Sequence, residues 1–179
     1  MQIGATEILV VRGSLLDQNV DAIVNAANTA MRGGGGIDGA IHRAAGPSLL
    51  LDLERVAPHG AKTGSVVVTS GHRLRQRYIF HTPGPIWSGG GKGERELLAS
   101  CYRGCLEEAE RLGVARLGFC SISTGVYRFP LEEAAPIALG TVATHLREHP
   151  ATELRRIIFA MFGAREHEVF EATLAATVP

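Results

Sequence analysis

The chain has 179 residues, enough for one domain with a proper core and short for two. Apolar residues make up 45% and charged residues 20%, the composition of an ordinary globular protein. The 18 Lys and Arg balance the 18 Asp and Glu, so no global basic field recruits nucleic acid or an anionic membrane. Binding of an anion therefore requires a built site.

The opening "MQIGATEILVVRG" carries Glu7 and lacks a basic start followed by a long apolar core, so no signal peptide is read and a cytoplasmic protein is expected. No apolar run approaches the roughly 18 residues of a membrane span. Strands are expected at 6–11, 21–27, 65–70, 77–82, 115–122 and 155–162, several of them almost continuously apolar, as in strands covered on both faces. Helices are expected at 38–45, 47–57, 93–113, 131–148 and 165–176, the third ending on Gly113 as a C-cap. This alternation predicts a single α/β domain over 1–179, with helices on both faces of a mainly parallel or mixed sheet. Cys101, Cys105 and Cys120 lack metal-site spacing and read as buried free thiols of a reducing compartment.

In open α/β sheets ligands collect where strands end and loops lead into helices. Two loops in such places are unusual, and both are glycine-bearing. The first follows the second strand, in "VNAANTAMRGGGGIDGAIHRAAG" (24–46). Gly33 to Gly36 permit backbone conformations closed to other residues and a close approach to a ligand. The helix behind them offers free N–H groups and a positive dipole end, which suits a diphosphate. Asp38 suits the N-cap of that helix. It suits equally a carboxylate that orients or activates water beside a sugar. Asn25 and Asn28, at the strand's end, can hold ribose hydroxyls without adding charge. His42 lies one turn after Asp38 on the same helical face, where it is either a packed residue or a catalytic partner. No third ligand accompanies this pair, so no metal is expected.

The second loop is "SISTGVYRFP" (121–130), in which a strand runs into Ser123, Thr124, Gly125, Val126 and Tyr127 before Pro130 opens a helix. Backbone N–H groups in such a turn can converge on phosphate oxygens, or the turn can simply join strand to helix. A third glycine run, "WSGGGKGE" (87–94), lacks the glycine and the Ser or Thr that a nucleotide phosphate loop needs. It reads as a flexible surface loop.

Together these residues resemble the macrodomain family, specifically its MacroD-type ADP-ribosyl hydrolases. That subgroup's signature is asparagine, six residues, two glycines, an aliphatic residue and aspartate. Here it reads Asn28, "TAMRGG", then Gly35-Gly36-Ile37-Asp38. "VDAIVNAAN" (20–28), "GGGGIDGAIHRAAGP" (33–47), "HTPGPIW" (81–87) and "ISTGVY" (122–127) look like family segments in family order. The resemblance implies a three-layer α/β/α sandwich with a mixed central sheet of about six strands. It implies a cleft for ADP-ribose and hydrolysis of mono-ADP-ribose esters on Asp or Glu, or of O-acetyl-ADP-ribose. Asp38 would act on water, Asn25 and Asn28 would orient the distal ribose, and Gly34, Gly35, Gly36 and Ile37 would wall it. Ser123 to Tyr127 would hold the diphosphate. No metal or cofactor is implied; the expected partners are ADP-ribose, O-acetyl-ADP-ribose and ADP-ribosylated proteins, with the chain itself a monomer.

Two departures fall at the adenine end. The family usually has Gly-Asp-Ile after the first strand, its aspartate accepting from the adenine amino group. This chain has Gly13-Ser14-Leu15, and a neutral acceptor roughly halves the strength of that bond. After the last strand relatives often carry an acidic residue behind an aromatic, whereas this chain has Phe162-Gly163-Ala164. Phe162 is expected either to stack on adenine or to sit in the core. Both changes imply weaker ADP-ribose binding than the family norm. Two other functions compete with the hydrolase: a reader that binds ADP-ribose without turnover, and a nucleotide-processing or RNA-end-binding module, which the neutral charge disfavours.

Overall fold

The computed structural model of the chain describes residues 1–177. One seven-stranded sheet runs in the order β1-β2-β7-β6-β3-β5-β4. Its strands are β1 (Gln2–Ile3), β2 (Thr6–Arg12), β3 (Ala22–Ala27), β4 (Val67–Ser70), β5 (Tyr78–Pro83), β6 (Arg116–Phe119) and β7 (Arg156–Met161). Helices α1 (Gly36–Ala45), α2 (Ser48–Val56), α3 (Glu94–Leu112), α4 (Leu131–Glu148) and α5 (Ala164–Ala176) complete a three-layer α/β/α sandwich. The six expected strands are all present. The seventh, β1, is a two-residue antiparallel edge too short to show a periodicity.

The five inner strands, β2, β7, β6, β3 and β5, are mutually parallel, while β1 and β4 are antiparallel edges. Burial explains the parallel core. Every residue of β7 after Arg156 is buried, and the aromatic chain Tyr102, Phe119, Phe159 and Phe170 links α3, β6, β7 and α5 across one face. Each such side chain stabilises the fold by about 2–3 kcal/mol through the surface it removes from water. Gly113 ends α3 in the left-handed conformation, at φ 64°. Among the described residues no helix is long and apolar enough to cross a membrane.

Because the inner strands are parallel, the loops that follow all five emerge along one edge of the sheet. From β2 to β3 this edge crosses three strand spacings, roughly 14 Å.

Candidate active site at the strand ends

One strand carries an anomaly. β3 reads "AIVNAA", and Asn25 in its middle is wholly buried. An amide costs free energy there unless its hydrogen bonds are met. Asn25 therefore sits inside the strand and not at its end. Its Nδ2 donates to Asp38 Oδ1 at 2.8 Å and contacts His81 Nδ1 at 3.1 Å. Both amide hydrogens are thus spent on protein, and only Oδ1 remains to accept from a sugar hydroxyl.

Asp38 is not the N-cap that its position suggested. The helix starts two residues earlier: Gly35 is the N-cap and Asp38 is the third residue of α1. Glycine at the cap supplies no side-chain acceptor, so the first N–H groups of α1 stay uncapped and open to an anion. Three of the four glycines have a structural reason. Gly33 and Gly36 take φ of 85° and 56°, which disfavours a Cβ, and the His42 ring lies against Gly33. At Gly34 a Cβ would stand 3.2 Å from Asp38 Oδ2 and 3.4 Å from Asn28 Nδ2. Gly35 meets nothing within 4 Å.

Asn28 braces this loop. Its Nδ2 donates to Gly33 O at 2.9 Å and its Oδ1 accepts from Met31 N at 3.1 Å. His42 faces Asp38 as its spacing predicts, with Nε2 3.4 Å from Asp38 Oδ1. Three buried polar atoms make no hydrogen bond where these side chains meet: Asn25 Oδ1, Asp38 Oδ2 and His42 Nε2, the last only in ion-pair range of Asp38 Oδ1. Buried polar atoms are normally satisfied, so such a cluster marks a place built for a ligand.

The 121–130 loop stands beside it, at the end of β6. Ser123 and Arg128 hold φ of 65° and 60°, a left-handed strain that must be compensated. Phe129 N donates to Ser123 O, and Trp87 N donates to Tyr127 O, which closes the turn and ties it to the loop after β5. Tyr102 fixes the loop's root from α3: its hydroxyl donates to Cys120 O at 3.4 Å and accepts from Ile122 N at 3.2 Å. Among the described residues the N–H groups of Thr124, Gly125, Val126 and Tyr127 find no protein acceptor, the arrangement that a diphosphate requires. Ser123 Oγ is buried and unpartnered against Gly84, where a Cβ would come within 2.1 Å of it. Tyr127 is half-buried, and Val126 is exposed.

At the far end of the edge, Ser14 Oγ accepts from Leu16 N at 3.2 Å and caps a single 3-10 turn. Leu15 is buried and packs towards Gly118, so its side chain belongs to the core and only its backbone faces a ligand. Phe162 is 83% exposed, which removes the core reading and leaves an open aromatic face beside the end of β2.

The 87–94 loop is ordered, not loose. The buried Glu94 carboxylate accepts from Ser88 N, Gly90 N and Lys92 N at 3.0, 3.2 and 2.7 Å. Burial raises its pKa, but these N–H groups outweigh burial and leave it lowered. The chain's own carboxylate thus takes up the N–H groups of this loop. The thiols are no nucleophiles: burial pushes Cys101 up to about 11 and Cys120 up to about 12.

One residue of the site carried no chemical role in the sequence. His81, wholly buried on β5, lies beside Asn25 in register, and burial with the nearby His42 pulls its pKa down to about 3. Its position opening the "HTPGPIW" segment was the only hint.

The Macro domain family profile matches residues 24–138. A macro domain-containing protein of Mesorhizobium japonicum is 48% identical over 164 residues, covering 92% of this chain and 91% of its own. Another, of Chlorobaculum tepidum, is 46% identical over 166 residues, covering 93% and 94%. Among solved structures, the Oceanobacillus iheyensis macrodomain with ADP superposes with a TM-score of 0.91 at 38% identity, over 98% of this chain and 94% of that one. The Trypanosoma brucei macrodomain in complex with ADP-ribose gives 0.86 at 42% identity, over 93% and 68%. With a profile spanning more than half of its length, and with relatives this similar end to end, the chain belongs to the macrodomain family.

Proposed function

We propose that this macrodomain binds ADP-ribose along the strand edge. We propose further that it hydrolyses mono-ADP-ribose esters of Asp and Glu side chains, or O-acetyl-ADP-ribose. The observation that carries the reading is the cluster of buried atoms without a hydrogen bond, Asp38 Oδ2, Asn25 Oδ1 and His42 Nε2, beside an uncapped helix start. A carboxylate oxygen held bare beside the ribose wall can accept from a ribose hydroxyl in a binder, or orient a water for attack on the ester in a hydrolase.

In this reading the diphosphate takes the free N–H groups of α1 and of 124–127, and the distal ribose rests on Gly34 to Ile37. Phe162 stacks on the adenine, with Ser14 as a neutral acceptor near its amino group. Asn25 holds Asp38 Oδ1, so that Oδ2 alone orients water and draws on its proton. Water cleaves the ester to a ribose hydroxyl and a free carboxylic acid, and the reaction needs no cofactor.

The test is incubation with a protein mono-ADP-ribosylated on glutamate. The native chain is expected to release ADP-ribose and Asp38→Ala to release none. Binding of ADP-ribose with no release by the native chain would make it a reader instead.

A further inference from the structure

Behind Asp38 runs a buried row of three side chains, Asn25, His81 and Thr69, that ends on the backbone. Thr69 Oγ1 donates to Ser70 O at 3.1 Å. With its hydrogen on Ser70 O, Thr69 turns a lone pair to His81 Nε2 at 2.9 Å, the arrangement that suits a proton on Nε2. Nδ1 then presents a lone pair to Asn25, 3.1 Å away, and can only accept from the amide NH₂. The same NH₂ donates its second hydrogen to Asp38 Oδ1 at 2.8 Å. Thr69, His81 and Asn25 are all buried, so no solvent competes for these bonds.

The direction of the whole row matters to Asp38. Were Asn25 turned about, its carbonyl would face a carboxylate oxygen and repel it, and His81 would have to carry its proton on Nδ1. Tautomer and amide orientation are therefore coupled, and the Thr69 hydroxyl chooses between the two states. We infer that His81 is a positioning residue: as the neutral Nε2–H tautomer it holds the Asn25 amide with its NH₂ towards Asp38, fixing Oδ1 and leaving Oδ2 as the only oxygen free for water. Burial and the depressed imidazole pKa keep the ring uncharged, as an acceptor must be. The kinetic half of this inference rests on the hydrolase reading above; the tautomer rests on geometry alone.

Two measurements test it. The first is the ¹⁵N spectrum of the ligand-free protein at neutral pH. It is expected to show His81 with Nε2 protonated and Nδ1 bare, with a coupling across the Asn25 Nδ2–H to His81 Nδ1 bond. A proton on Nδ1, or a charged ring, would overturn the inference whether or not the protein is a hydrolase. The second compares ester hydrolysis by His81→Phe, which fills the space but accepts nothing, and His81→Asn, whose amide oxygen can stand where Nδ1 stood. Removing a partner behind a reacting ligand typically costs ten- to a hundredfold, so His81→Phe is expected to lose at least about tenfold in kcat with KM little changed. His81→Asn is expected to recover much of that loss. Equal kcat in native and His81→Phe proteins, or an equal loss in both variants while both melt as folded proteins, would overturn it. Should the native protein release no ADP-ribose, the hydrolase reading falls and the spectrum alone decides the role of His81.

Discussion

Gly39 shows how tightly single residues are set in this site. It lies in α1, where alanine would ordinarily gain roughly 0.5–1 kcal/mol over glycine. Here a Cβ would stand 2.6 Å from Gly34 O, a backbone atom of the wall that faces Asp38. Such overpacking costs about 1–3 kcal/mol, more than the helix gains. Gly39→Ala is therefore expected to lower thermal stability and to weaken ADP-ribose binding together, as thermal melts and calorimetry would read. A higher Tm with unchanged affinity would mean that the glycine wall yields freely. Ser14 is already engaged: its hydroxyl accepts from Leu16 N, so the acceptance from adenine proposed for it would be a second duty for one oxygen.

Among the elements, the loop after β6 depends on a helix distant in sequence. Tyr102 on α3 is fully buried, and its hydroxyl serves Cys120 O and Ile122 N at the loop's root. Tyr102→Phe would strand both groups, at about 1–3 kcal/mol. Its expected signature is lower stability in denaturant melts and a several-fold weaker affinity for ADP-ribose, since 123–127 loses its anchor. The same distinction marks what was legible in the sequence. The strand pattern, the run of helices and the Asp38–His42 pairing follow from local periodicity and spacing. Asn25 beside His81 does not, because the two are 56 residues apart and meet only through the parallel pairing of β3 with β5. Nor does the placement of Asp38 as the third residue of the helix, since a run of four glycines leaves the helix start ambiguous to propensity. The 87–94 loop looked loose for a similar reason: its order comes from one carboxylate at the start of α3, not from the glycines themselves.

Across the whole molecule, the three thiols report on cooperativity. Cys101 and Cys105 lie in α3 and Cys120 follows β6, all buried, with burial raising each pKa. A thiol reagent at neutral pH is expected to react with none of them in the native state. All three should react at the rate of global opening, accelerating together in denaturant. Fast reaction of one thiol alone would show that α3 or the strand edge opens separately. The balanced charge of the chain agrees with a site that binds its anion through backbone N–H groups and not through a basic surface.

In the proposed reaction the Asp38 carboxylate acts on the attacking water and does more than shape the cleft. Asp38→Asn keeps the size of the side chain but removes its charge, so its ADP-ribose affinity and its single-turnover release from a glutamate-linked substrate separate the two roles. Affinity is expected to stay within a few-fold of the native chain and release to slow at least about a hundredfold, the scale of general acid–base catalysis. Release at the native rate, or loss of binding and release in equal measure, would contradict that role of Asp38.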